Sequence, residues 1–118
     1  MSFRKRIASF RYAVLGLSDL FRTQPNARIH LLATALVVAL GLYFHISRME
    51  WVALSICISL VLVSEALNTA LEYLTDLVSP EYHPLAGKVK DVAAAAVLLA
   101  ALGAVVVGLL IFIPRFIF

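Results

Sequence analysis

Four residues near the middle of the chain carry side chains that could do chemistry together: Glu65, Asn68, Glu72 and Asp76. At 100° per residue in a helix they fall within an arc of about 80°, forming one polar stripe about 16 Å long. Carboxylates and an amide on one face supply the hard oxygen ligands that Mg²⁺ prefers, and a carboxylate held away from water can take a proton from a hydroxyl. Five of the seven acidic residues lie between positions 65 and 91. Lys88 and Lys90, with the lysines and arginines of the N-terminal segment, are available to face phosphate groups. The pattern points to a cation and phosphate site.

The surroundings of the stripe are apolar. Of 118 residues, 63% are hydrophobic and 14% charged, with a mean hydropathy of +0.98. A water-soluble domain this short could not cover so much apolar surface, so the main solvent is lipid. Only 14 residues separate Trp51 from Glu65. That is too few for a helix to clear a bilayer core of about 30 Å. A carboxylate deep in a span costs about 2.5–3.5 kcal/mol on insertion scales, so the stripe needs a role or a partner. The plainer alternative, a helix that leaves the bilayer after Val63, accounts for Asp76 but poorly for Glu65.

The elements that position these residues follow from periodicity. Residues 3–22 fit an amphipathic helix, with Phe3, Ile7, Phe10, Val14, Leu17 and Phe21 on one side and Lys5, Tyr12 and Asp19 on the other. Such a helix lies in the headgroup layer. Thr23-Gln24-Pro25-Asn26 breaks it, and Pro25 suits the first turn of the next helix. Three spans are expected, at about 29–46, 51–78 and 88–113, with a polar loop from Ser79 to Asp91 and a stop at Pro114-Arg115. Ala96, Ala100, Ala104 and Gly108 form a small-residue ladder that should let helix backbones approach closely. The expected fold is an all-α integral membrane protein, one domain over 1–118, with a surface helix and three transmembrane helices.

Six of the ten basic residues precede the first apolar run, and Arg48 and Arg115 alone remain for the opposite side from Lys88 and Lys90. By the positive-inside rule the N-terminal segment and the Lys88 region are cytoplasmic. This is a topology signal and not a nucleic-acid footprint, so no nucleic-acid partner is expected. The N-terminus does not read as a cleavable signal peptide. Cys57 reads as a packing residue, His30 and His45 as interfacial residues, Tyr43 and Trp51 as interface anchors, and Arg4-Lys5-Arg6 as a contact for anionic headgroups.

No standard phosphate loop is present: Ala86-Gly87-Lys88-Val89 lacks both the earlier glycine and the following Ser or Thr. A nucleotide site would have to be built across helices, with parts from neighbouring subunits. The run Glu65-Ala-Leu-Asn68-Thr-Ala-Leu-Glu72 is followed by Asp76, by Glu81-Tyr82-His83 and by Lys90-Asp91. Together with Tyr12, Gly16 and Asn26-Ala-Arg28-Ile-His30, it resembles the signature of the prokaryotic diacylglycerol kinase and undecaprenol kinase family over nearly the whole chain.

That resemblance implies a homotrimeric lipid kinase of the bacterial cytoplasmic (inner) membrane. Its active sites would be shared between subunits on the cytoplasmic side, and it would use ATP and Mg²⁺ to phosphorylate diacylglycerol or undecaprenol. By the same resemblance Glu65 would be the catalytic base, with Asn68 beside it supporting Glu72 as a metal ligand. Lys90 and Asp91 would contact ATP, with Asp76, Glu81, Tyr82 and His83 nearby and Lys5 and Tyr12 contributed by the surface helix. Gln24 stands where the family commonly carries a glutamate as a second metal carboxylate, and its amide offers a carbonyl oxygen without the charge. Two rival readings rest on the same residues: a small transport or proton-conducting subunit, for which intramembrane carboxylates are equally natural, and a non-catalytic membrane scaffold.

Overall fold

The computed structural model describes residues 2–118, and every regular element among them is a helix. In order these are α1 (Phe3–Thr23), α2 (Pro25–Phe44), α3 (Arg48–Val78) and α4 (Pro84–Ile117). Ser2 caps α1 by accepting from the Lys5 amide. The chain turns at Gln24 in an extended conformation, and Pro25 opens α2 at its first position, where a missing N–H costs nothing.

The α2–α3 connection is short because both of its ends are capped. His45 ends α2 in the left-handed region (φ 51°), and its ring Nδ1 lies 2.8 Å from the Leu42 carbonyl. Ser47 then opens α3 with a reciprocal capping box to Glu50. Gly41 is required by this hairpin, since a Cβ there would lie 2.6 Å from Cη2 of Trp51. Trp51, a residue of interfacial type, therefore also packs within the hairpin.

α4 begins earlier than its polar composition suggests. The His83 ring accepts from the Leu85 amide and Pro84 supplies the first helical position. Lys88, Lys90 and Asp91 thus stand on the opening turns of α4 and not in a loop, because nothing after Pro84 interrupts helical geometry. The helix also continues through Pro114, where a stop was expected. Arg115 secures that last turn by donating to the Ile111 carbonyl at 2.7 Å.

α3 and α4 are antiparallel neighbours with the most extensive contact in the molecule, and α2 lies against α3. Their far ends are locked by Arg115, which grips both oxygens of Glu50 at 2.6 and 2.8 Å. Ile46, Leu54, Ile111 and Phe112 form the core beside that clamp, flanked by Phe44 and Trp51. At the opposite end α1 is tied to α3 through Tyr73, whose hydroxyl donates to Asp19 at 2.8 Å and lies 3.1 Å from Thr23 Oγ1.

α2, α3 and α4 are each long and apolar enough to cross a membrane. Large apolar side chains such as Leu36, Leu60, Leu99 and Leu110 are exposed along them, as lipid contact requires. The apolar side of α1 is likewise open, at Phe3, Phe10 and Val14. The small-residue ladder differs from its expected role inside the subunit. A Cβ at Gly108 would meet nothing within 4 Å, and Ala104 and Gly108 border an apolar groove of about 420 Å³ between α2, α3 and α4. There the small residues create space in place of close backbone contact.

Candidate functional site

Burial falls steadily along the α3 stripe. Glu65 is 2% exposed and Asn68 9%, Glu72 is half-buried, and Asp76 is open. Glu65 is therefore enclosed by its protein neighbours and is not a solvated side chain at a helix end. Asn68 Nδ2 donates to Glu72 Oε1 at 3.2 Å, while Glu65 Oε2 and Asn68 Oδ1 are enclosed without a hydrogen-bond partner. Buried polar atoms are nearly always paired, so two orphans one helical turn apart mark a part of the subunit whose polar pairing is left incomplete. The neighbouring hydroxyls do not fill the need, because Thr69 and Thr75 donate to carbonyls of their own helix.

His30, read from the sequence as an interfacial residue, stands against this stripe. Its Nε2 lies 3.5 Å from Glu65 Oε2, within ion-pair reach but longer than a formed hydrogen bond. No local sequence signal links the two, since they meet only through the depth offset of α2 against α3. The one available hint was an ionisable side chain entering the apolar run just after Pro25.

A second group gathers at the α3–α4 turn. Asp76, Glu81, Tyr82, His83 and Lys90 surround a hollow of about 150 Å³ together with Gly87. Lys90 Nζ is paired with Asp76 Oδ1 at 2.6 Å, and the His83 ring is engaged in capping α4. Tyr82 is exposed, and Asp91 is exposed on α4 without lining the hollow. Lys5 and Tyr12 stand exposed on α1 and border neither group within the subunit. Gln24 donates to Thr23 Oγ1 at 3.2 Å, which sets it at the corner where α1 docks on Tyr73, the residue after Glu72.

Among the described residues no three His, Cys, Asp or Glu side chains converge on a metal position. The oxygens of Glu72 and Asn68 are nonetheless hard donors on one face, and the Asn68 carbonyl oxygen is unsatisfied. This set fits a Mg²⁺ ion that keeps waters and shares phosphate oxygens, and it does not fit an all-protein cage.

Comparison with known proteins points the same way as this geometry. The family model described as prokaryotic diacylglycerol kinase matches residues 11–112. A diacylglycerol kinase of Synechocystis sp. is 44% identical over 109 residues, covering 92% of this chain and 62% of the relative, so the chain spans under two thirds of that protein. An undecaprenol kinase of Bacillus subtilis is 37% identical over 107 residues, covering 91% and 87%. A diacylglycerol kinase of Escherichia coli is 32% identical over 104 residues, covering 88% and 85%. The match takes in the α3 stripe, the α3–α4 turn and the start of α4 in one continuous stretch, and on that ground the chain belongs to the prokaryotic diacylglycerol kinase family.

Proposed function

We propose that this protein transfers the γ-phosphoryl group of ATP to the hydroxyl of a membrane lipid, either diacylglycerol or undecaprenol. The observation that carries the reading is Glu65, a carboxylate enclosed in a membrane-spanning helix with one oxygen unpartnered. In the step proposed, the lipid O–H proton passes to Glu65 and the lipid oxygen bonds to the γ-phosphorus. The bond from that phosphorus to the β–γ bridging oxygen breaks, and ADP leaves. Enclosure keeps water from competing with the lipid for the phosphoryl group.

Asn68 holds Glu72 in place through its amide. Glu72, the Asn68 carbonyl and the Gln24 carbonyl would hold Mg²⁺, which when bound neutralises charge on the phosphates. Lys90 would exchange Asp76 for a phosphate oxygen. Glu81, Tyr82, His83 and Asp91 would frame the nucleotide around the α3–α4 turn. Lys5 and Tyr12, which reach neither group within one subunit, would come from a second copy in a homotrimer. A cytoplasmic site at the bacterial inner membrane is the proposed setting, and the basic residues of the N-terminal helix and of the Lys88 region support it.

The test is direct. Purified protein in mixed micelles, given ATP and Mg²⁺ with each lipid in turn, is expected to yield a phosphorylated lipid, and the ratio of the two rates identifies the preferred alcohol. Absence of product from both lipids would overturn the proposal.

A further inference from the structure

Glu65 is the largest fully enclosed side chain among the described residues; the His30 ring faces it across the helix gap, and Glu72 follows it on the same stripe of α3. Of these only His30 can donate a hydrogen bond. Its Nε2 lies 3.5 Å from Oε2, the oxygen that lacks any partner. The ring is itself 23% exposed and sits at the edge of the apolar groove that Thr34, Val37 and Val61 also line, so it is held between packed walls and not in open solvent. Thr34 Oγ1 donates to the His30 carbonyl at 2.8 Å, which adds a tether at this turn of α2.

We infer that His30 is a positioning residue for Glu65: its Nε2–H donates to Oε2, leaving Oε1 to face the lipid hydroxyl. A carboxylate in a tight apolar site can rotate about its last bond, and a donor on one oxygen decides which lone pairs meet the substrate. The separation in the substrate-free protein is long for a hydrogen bond, as is common for contacts that tighten when the reacting groups are assembled. The inference rests on the kinase reading and adds to it a residue from a different helix. It concerns orientation and not proton storage, since the proton from the lipid ends on Oε1.

The reach of the donor provides the test. Glutamine can present an amide N–H about where Nε2 stands, whereas asparagine matches only the nearer Nδ1. His30→Leu is expected to lower kcat between about tenfold and a hundredfold, the range seen when a group that orients a working ligand is removed. KM for ATP should hardly change. His30→Gln should restore most of the lost kcat, and His30→Asn should not. Wild-type kcat in His30→Leu, or equal rates in the Gln and Asn variants, would overturn the role. Should the wild-type protein phosphorylate neither lipid, the kinase reading falls, and the pairing is judged by unfolding temperatures. Shifts for His30→Leu and Glu65→Gln that are non-additive in the double variant support the contact, and additive shifts overturn it.

Discussion

At the end of the bundle away from α1, charged groups have closed partnerships: Arg115 grips both Glu50 oxygens, and Glu50 also completes the Ser47 capping box. A cluster of Ile46, Leu54, Ile111 and Phe112 packs beside them. At the α1 end, apart from the tie between Tyr73 and Asp19, the pattern reverses along the α3 stripe. Glu65 Oε2 and Asn68 Oδ1 are enclosed without partners, His30 stops short of hydrogen-bond distance, and Lys90 and Asp76 lie paired but accessible. Both ends belong to the same helices in the same solvent, so composition does not separate them. The difference teaches which end holds the bundle together and which is left incomplete for ligands, because folding alone gives no reason to enclose an unpaired carboxylate.

The comparison is broken most severely at Glu65. Glu65→Gln is expected to lower lipid phosphorylation by about 10²–10⁴-fold, the usual contribution of a general base. It removes a charge from a costly setting, so the unfolding temperature should stay the same or rise. A variant that keeps its rate, measured as phosphorylated lipid per unit time, would erase the distinction between the ends. Glu72→Gln should follow with a loss of at least about a hundredfold, since a ligand to the metal stabilises charge by several kcal/mol. Titration with Mg²⁺ should show a partial recovery at high concentration for this variant and none for Glu65→Gln.

The far end should respond in the opposite sense. Gly41→Ala drives a Cβ into Trp51 and is expected to cost about 1–3 kcal/mol of stability, as overpacking does, while kcat of the folded protein is unchanged. Thermal unfolding in detergent beside the lipid assay checks both halves. The smallest effect is expected at Gln24→Glu. A second carboxylate at the α1–α2 corner should lower the Mg²⁺ concentration for half-maximal rate by a few fold, with kcat little altered. An unchanged Mg²⁺ titration would remove Gln24 from the metal.

Much of the fold was legible in local pattern. Pro25 occupies the first helical position expected of it and the apolar runs fall within α2, α3 and α4, whereas Pro84, expected to close α3 and open a loop, starts α4. The extent of α4 was harder to read, because Lys88, Lys90 and Asp91 look like loop residues by polarity although nothing in them opposes a helix. The candidate site was legible along α3, where Glu65, Asn68 and Glu72 share one face by spacing alone. The partners that reach it from other helices were not, and His30 is the clearest case.

The amino-acid sequence by itself determined that three helices are long and apolar enough to run through lipid, that a basic amphipathic helix precedes them, and that one face of α3 carries carboxylates. Helical period and hydropathy are properties of neighbouring residues, so they can be read one segment at a time. Only the tertiary structure decided that His30 meets Glu65, that Arg115 meets Glu50, and that Tyr73 anchors Asp19. Each of those contacts depends on how far one helix slides along the next, and that offset is set jointly by many packed side chains along the interface.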